Sequence, residues 1–169
     1  MTSIKYNLFK EAIQPVVILN QNEGRKLWVW GDLYTIKISG AETNGAYALT
    51  ECLVGPESGT PAHIHHAEDE MFYILRGELS VWVEGEKSLA GAGSYVYIPR
   101  GTVHAWKNES AEQTRFLTSV TPAGFEQFFA VIGNEVTDDL PTPPTLTPEM
   151  IETAIRLAPD FHMEVVNPS

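Results

Sequence analysis

The feature that most restricts the possible folds is a series of short apolar segments separated by turn residues between positions 27 and 120. Residues 27–30 and 33–38 are divided by a Gly-Asp pair, and residues 79–83 and 95–98 are likewise bounded by glycine or proline. These segments are rich in β-branched and aromatic residues, which suit a pleated strand. Helical periodicity is almost absent from this part of the chain. The pattern therefore predicts an all-β domain, either a sandwich or a barrel.

Helical patterns appear only in the last third of the chain. Phenylalanines three and four residues apart predict a short helix over residues 124–132. Residues 138–148 are rich in proline and are expected to form an extended connector. Thr147 is a good cap for a second helix, because a proline and a glutamate follow it in the first turn. We therefore expect a barrel in residues 1–135, and a connector and C-terminal helix in residues 136–169 that pack on the barrel or on a partner subunit.

Composition restricts the partners and the compartment. The chain has 169 residues, a formal net charge of -11 and one cysteine. Strong negative charge disfavours nucleic acid and anionic membranes as partners. A single cysteine excludes an intramolecular disulfide and fits a reducing compartment. We recognise no signal-peptide pattern and no apolar run long enough to span a bilayer, so a single-domain cytoplasmic protein is expected.

A histidine-rich stretch in the middle of the chain is the first candidate for a functional site. His63 and His65 are one residue apart, so their side chains lie on the same face of an extended strand. Glu70 opens the next apolar segment and can meet both imidazoles if the chain bends back near Ala67. Two imidazole nitrogens and one carboxylate oxygen suit a divalent transition metal. A solvated acidic turn is the alternative interpretation of the same residues.

A further candidate ligand lies in a separate segment. Pro99 ends a strand, because proline has no N–H to donate to a neighbouring strand. Gly101 permits the turn that follows, and His104 begins the next strand. A single histidine after a turn is often structural. As a ligand, however, it would complete a set of three nitrogens and one oxygen.

The spacing of these residues resembles the two sequence motifs of the cupin family. The first motif has two histidines one residue apart, a glutamate after four intervening residues and a glycine after six more. It is matched by His63, His65, Glu70 and Gly77. The second motif is matched by Gly93, Pro99, Gly101, His104 and Asn108. The glycine that usually opens the first motif is absent, since Glu57 stands at its position and Gly59 lies nearby.

The resemblance implies both a fold and a cofactor. Cupins form a small antiparallel double-stranded β-helix, a jelly-roll barrel, which here would carry short C-terminal helices. The family also implies one divalent transition metal per chain in the barrel mouth, held by His63, His65, Glu70 and His104. Iron, manganese, nickel, cobalt, copper and zinc all accept such ligands. Cupins often form dimers, so a homodimer is expected.

Within the family, the chain looks most similar to the single-barrel group resembling quercetin 2,3-dioxygenase, on residues 63–73, 31–33 and 122–129. This similarity implies a dioxygenase that acts on a flavonol-like or other enolisable aromatic substrate, with Glu70 as the catalytic base. A non-oxidative isomerase or lyase and a non-catalytic small-molecule-binding cupin stay open as alternatives. The substrate pocket should be aromatic. Its candidate residues are Tyr47, Phe72, Trp106, Phe116, Phe125 and Phe128.

Other polar residues near the motifs are expected to lie outside the metal site. His66 follows a ligand and should point to the opposite face of the strand. Glu68 and Asp69 are expected to be exposed acids of the turn. Asn108 is expected to stabilise a turn, and Cys52 to be a small buried residue without activation.

Overall fold

The computed structural model describes residues 16–138 and 141–166, and in these ranges two antiparallel sheets enclose the hydrophobic core. The strands, in chain order, are β1 Arg25–Val29, β2 Asp32–Ile38, β3 Ala48–Val54, β4 His63–His65, β5 Asp69–Arg76, β6 Glu78–Val83, β7 Glu86–Gly91, β8 Tyr95–Ile98, β9 His104–Lys107, β10 Thr114–Thr121, β11 Asn134–Glu135 and β12 Met163–Val165. The helices are α1 Gly40–Thr43, α2 Glu126–Ile132 and α3 Pro148–Leu157, and a 3-10 turn spans Ala158–Phe161. None of these helices is long and apolar enough to cross a membrane.

The order of the strands identifies the barrel type. The larger sheet has the order β11-β1-β2-β3-β10-β5-β8, and the smaller sheet has the order β12-β4-β9-β6-β7. From β3 to β10 the chain passes repeatedly from one sheet to the other, and neighbouring strands pair antiparallel. This is the topology of a double-stranded β-helix. The predicted all-β jelly-roll fold is therefore confirmed.

Alternation along the strands decides which side chains enter the core. Every second residue of β3 is buried, from Ala48 to Val54, and the same holds on β10 from Thr114 to Val120. This period of two follows from the pleat of the backbone. From the smaller sheet, Trp106 meets the edge of Phe116 on β10, with ring centroids 5.3 Å apart. An aromatic contact therefore joins the two sheets.

Two glycines near the first motif are required by close approach of the chain. A Cβ on Gly59 would lie 2.5 Å from the carbonyl oxygen of Trp106. Gly77 has a φ of +79°, and a Cβ there would lie 2.6 Å from Oγ1 of Thr114. A larger residue at either position would force the backbone of the barrel apart.

The C-terminal segment follows the helical predictions and returns to the barrel. Helix α2 ends at Gly133, as predicted, and α3 begins after Thr147, whose hydroxyl accepts from the N–H of Met150 at 3.3 Å. Strand β12 then pairs with β4, which places the end of the described chain beside the first two candidate ligands. The division of the chain at residue 135 stays a prediction.

Candidate metal centre

The four side chains proposed as ligands come together from both sheets. His63 and His65 project from β4, and His104 on β9 is paired directly opposite His63. Glu70 reaches the cluster from β5 in the other sheet. All four residues are buried, and their ligand atoms lie within 4.8 Å of one another. The cluster therefore depends on the packing of the two sheets.

Main-chain carbonyls fix the orientation of two of the histidine rings. Nδ1 of His63 donates to the carbonyl oxygen of Pro61 at 2.9 Å, and Nδ1 of His104 donates to that of Thr102 at 3.0 Å. A carbonyl oxygen can only accept, so the proton must be on Nδ1. In both residues Nε2 is consequently the atom that faces the centre of the cluster.

Glu70 is the anionic member of the cluster. Its Oε1 accepts from the hydroxyl of Thr118 at 3.1 Å, and its Oε2 accepts from Nε2 of His104 at 2.9 Å. Burial raises the pKa of Glu70, but the hydrogen bond from His104 and the nearby imidazoles outweigh burial and lower the pKa to about 2. The carboxylate is therefore ionised at neutral pH, as a metal ligand must be.

The histidines divide into two electrostatic classes. Burial, reinforced by the charge at His104, lowers the pKa of His63 to about 4. Burial also lowers the pKa of His65. Burial opposes protonation of His104 too, but the hydrogen bond and charge of Glu70 prevail and raise the pKa of its imidazole. His63 and His65 are thus ready to bind a cation, whereas His104 must first lose a proton.

His65 provides the test of whether these residues fit a metal. Both of its ring nitrogens are buried without a hydrogen-bond partner, and Nε2 lies 3.7 Å from Oε2 of Glu70. An unpaired nitrogen at this position is costly unless something else occupies its lone pair. Three imidazole nitrogens and one carboxylate oxygen match the ligand preferences of a divalent transition metal. The donor set therefore fits the cofactor that the motifs imply.

The prediction that Glu68 is an exposed acid of the turn is wrong, whereas Asp69 and His66 lie outside the cluster, as predicted. Glu68 is only 4% exposed, and its Oε2 lies 4.0 Å from Nδ1 of His65. Its side chain turns inward beside Gly124, where the segment before α2 closes over the turn. Asp69 is partly exposed and is ion-paired with Arg100 at 3.0 Å. His66 points outward, as expected, and meets Glu164 at 2.9 Å.

Two further side chains have the structural roles expected of them. Asn108 is fully buried, and its amide donates to the carbonyl oxygens of Gly55 at 3.0 Å and Glu112 at 2.7 Å, so it stabilises a turn. Cys52 is buried, and burial raises the pKa of its thiol well above the ordinary value. The thiol is therefore protonated at neutral pH and is a poor nucleophile.

A cavity of about 530 Å³ adjoins the cluster and includes His63, His65 and Glu70 in its wall. Five of the six aromatic residues proposed for the pocket line it: Phe72, Trp106, Phe116, Phe125 and Phe128. The exception is Tyr47, which is 41% exposed. On β3 the even-numbered residues face the core, so Tyr47 belongs to the outer face together with Leu49.

The structure adds cavity residues that sequence reasoning missed. Tyr34 on β2 and Thr118 on β10 are inward-facing members of alternating strands. The sequence shows which residues of each strand share a face with them, but not which of the two faces points inward. The C-terminal segment supplies another wall, through Leu146, Ile151, Ala154, Ile155 and Met163. No local pattern assigns these residues to the cavity, because they line it only once the C-terminal segment has folded back onto the barrel.

The charged residues around the cavity are acidic. Asp32, Glu57 and Glu70 line it, and no lysine or arginine of the described ranges does. The carboxylate of Asp32 accepts from the backbone N–H of Gly55 at 2.9 Å and from the hydroxyl of Ser58, so it ties the loop before β4 to β2. The wall is thus aromatic with an anionic bias, which disfavours anionic ligands.

The amino-acid sequence matches the family model of the cupin domain over residues 50–120. This segment carries all four clustered side chains and the strands that position them. Residues 50–120 are a cupin domain. The chain is similar to quercetin 2,3-dioxygenases that share this domain.

Two curated relatives show this similarity of the chain. It is 27% identical over 118 residues to the quercetin 2,3-dioxygenase of Bacillus subtilis, which covers 69% of this chain and 34% of the relative. It is 25% identical over 157 residues to the quercetin 2,3-dioxygenase of Aspergillus japonicus, which covers 89% of this chain and 44% of the relative. The chain therefore spans less than half the length of either enzyme.

Solved structures agree with the fold of this cupin. The structure of KdgF from Halomonas sp. superposes with a TM-score of 0.58 at 16% identity, covering 67% of this chain and 98% of that one. The polyketide cyclase RemF from Streptomyces resistomycificus superposes with a TM-score of 0.56 at 24% identity, covering 63% and 80%. At such identities the similarity concerns the fold alone.

Proposed function

We propose that this cupin is a metal-dependent dioxygenase that acts on a flavonol-like or other enolisable aromatic substrate. The observation that carries the proposal is the buried cluster of three histidines and Glu70 in the wall of an aromatic cavity of about 530 Å³. The two quercetin 2,3-dioxygenases among its relatives supply the reaction class. A dioxygenase places both atoms of dioxygen in its product, so no separate reductant is required.

The cluster would hold one divalent transition metal through His63, His65, Glu70 and His104. When bound, the metal supplies a Lewis acid that lowers the pKa of an enol hydroxyl. The chain contributes two neutral imidazoles, an ionised carboxylate and a largely apolar cavity for the substrate.

Glu70 is proposed as the group that accepts the enol proton. Its pKa of about 2 makes it a weak base, and a bound cation would lower this pKa further. A weak base suffices for the proton of an activated enol hydroxyl but is poorly matched to a carbon-bound proton. The two quercetin 2,3-dioxygenases among the relatives favour this enol chemistry over the isomerase or lyase alternative.

The cavity supports an uncharged aromatic substrate. Its volume of about 530 Å³ lies within the usual range for small-molecule sites. Faces and edges of Phe72, Phe116 and Phe125 are available to pack against a planar ring system. The acidic bias of the wall, with no lysine or arginine from the described residues, disfavours carboxylate and phosphate substrates.

Oxygen uptake tests this proposal. Metal-free protein would be loaded separately with iron, manganese, cobalt or nickel, and flavonols and other enolisable aromatics screened with an oxygen electrode. We expect uptake with at least one pairing, and loss of uptake in His104→Ala and Glu70→Gln. His66→Ala is the matched control, because this exposed imidazole of the same segment faces away from the cluster and should leave uptake unchanged. Tight binding of the aromatics without uptake would assign a binding role instead.

We also propose a homodimer formed through the outer face of the larger sheet. On β5 and β8, Tyr73 and Tyr95 form an exposed cross-strand pair, and Tyr97 lies beside them. Strand β8 is an edge of this sheet in the described residues. This group of exposed aromatic rings is a favourable contact for a chain of net charge -11. Sedimentation should show a dimer that dissociates in Tyr95→Glu; a monomeric wild-type protein would refute the proposal.

A further inference from the structure

Unpaired polar atoms concentrate at one point of the structure. In the described ranges, the buried side-chain nitrogen and oxygen atoms without a hydrogen-bond partner are Nδ1 and Nε2 of His65 and Oε2 of Glu68. They belong to two neighbouring side chains, each almost completely buried. Buried polar atoms without partners are rare because desolvation is then uncompensated. Their occurrence as a pair indicates a role that involves both residues.

The imidazole of His65 lies between two carboxylates. On one side, Nε2 is 3.7 Å from Oε2 of Glu70, and on the other, Nδ1 is 4.0 Å from Oε2 of Glu68. Phe125 packs edge-on against the same ring, with centroids 4.3 Å apart. The ring is therefore held in a plane that directs one nitrogen at the cluster and the other at Glu68.

A comparison with the other two histidines shows what is particular to His65. Nδ1 of His63 and Nδ1 of His104 each donate to a carbonyl oxygen of the main chain two residues earlier. Nδ1 of His65 makes no such hydrogen bond to the main chain, since it has no hydrogen-bond partner. Oε2 of Glu68 is on the Nδ1 side of the His65 ring at 4.0 Å, so an approach of about 1 Å would give Nδ1 a side-chain acceptor in place of a main-chain one.

We propose that Glu68 is a positioning residue of the metal centre, whose carboxylate receives the Nδ1–H of His65 and holds Nε2 toward the metal. The inference rests on the metal site of the proposed function and adds a residue to it. Partners of this kind fix the tautomer of a ligating histidine and increase its basicity.

Metal affinity tests this role, with the adjacent acid as control. Glu68→Ala removes the acceptor, Glu68→Gln keeps a neutral acceptor, and Asp69→Asn removes the same charge from a residue that is paired with Arg100 away from the cluster. Binding of cobalt and zinc would be measured by competition with a chromogenic chelator. We expect Glu68→Ala to weaken binding by about tenfold to a hundredfold. Glu68→Gln should recover part of the loss, and Asp69→Asn should match the wild-type protein.

The visible absorption spectrum of the cobalt-loaded protein separates positioning from general stability. A changed orientation of His65 alters the ligand field, so the spectrum should shift in both Glu68 variants and not in Asp69→Asn. Unchanged affinity and spectrum in both Glu68 variants, with or without a lower unfolding temperature of the metal-free protein, would overturn the inference alone. A folded wild-type protein that binds neither metal would overturn the proposed function, and this inference with it.

Discussion

The hydrogen bond between Thr118 and Glu70 allows a sharp test of how the barrel prepares its anionic ligand. The hydroxyl of Thr118 donates to Oε1 of Glu70 at 3.1 Å, and both side chains are buried. Valine has nearly the shape of threonine, so Thr118→Val removes the donor without opening a cavity. A hydrogen bond to a charged group contributes about 1.5 to 3 kcal/mol. We expect the free energy of unfolding of the metal-free protein to fall by about this amount at pH 7.

The same substitution should move the titration of Glu70. Burial raises the pKa of Glu70, and the hydrogen bond from His104 and the nearby imidazoles lower it to about 2. The hydrogen bond from Thr118 also favours the ionised carboxylate, so its removal should raise this pKa. Because each pKa unit corresponds to about 1.4 kcal/mol, the expected rise is roughly one to two units. The loss of stability in Thr118→Val should consequently shrink as the pH falls below the ordinary pKa of glutamate, where the wild-type protein also loses this contribution.

Urea unfolding of metal-free protein across this pH range measures both effects. Thr118→Ser is the control, since it keeps the hydroxyl and loses only a methyl group, at a cost of about 1 kcal/mol. Equal losses in the valine and serine variants, or a valine variant as stable as the wild-type protein at every pH, would refute the reasoning.

Three further predictions follow from the site. Metal binding should release a proton from His104, because the hydrogen bond to Glu70 outweighs the opposing effect of burial and raises the pKa of this imidazole. Calorimetry in two buffers of different ionisation enthalpy would detect that proton. The free energy of unfolding of the metal-free protein should fall by up to about 3 kcal/mol between pH 6.5 and 4. Over this range His63 becomes protonated in the unfolded chain but stays neutral in the folded protein, where its pKa is about 4. Urea unfolding would show this fall, and it should be smaller in His63→Gln. Ile155, which lines the cavity although 46% exposed, should lose buried contact with an aromatic ligand when changed to alanine. We expect about threefold to tenfold weaker binding by tryptophan fluorescence, with exposed Val131→Ala as the unaffected control.

Much of the fold could be predicted because its signals are local. Short apolar segments with turn residues between them gave the strands, since a pleated backbone alternates its faces whatever surrounds it. The start of α3 after Thr147 and the end of α2 before Gly133 were predicted correctly, because capping is satisfied by residues one turn away, whereas α2 begins two residues later than predicted. The two motifs identified four side chains that the structure brings together.

The two errors have different physical origins. Tyr47 was assigned to the cavity because alternation tells which residues share a face but not which face is inside. On β3 the outer face carries tyrosine and leucine, whereas the inner face carries the smaller Ala48, Thr50 and Cys52. Glu68 stands in an acidic turn that looks solvated, yet Gly124 and the segment before α2 cover it.

The sequence by itself determined the kind of fold and the chemical nature of the centre. Spacing along single strands sets His63 beside His65, and the backbone turn at Pro99 and Gly101 delivers His104, so short-range geometry suffices for each part. Only the tertiary structure decided what those parts face. The cavity wall on α3 and the hydroxyl on Glu70 come from segments distant in the chain, and Glu68, although close to His65 in sequence, is buried beside the distant Gly124. Their positions depend on how the sheets and the C-terminal strand pack, and no local pattern contains that information.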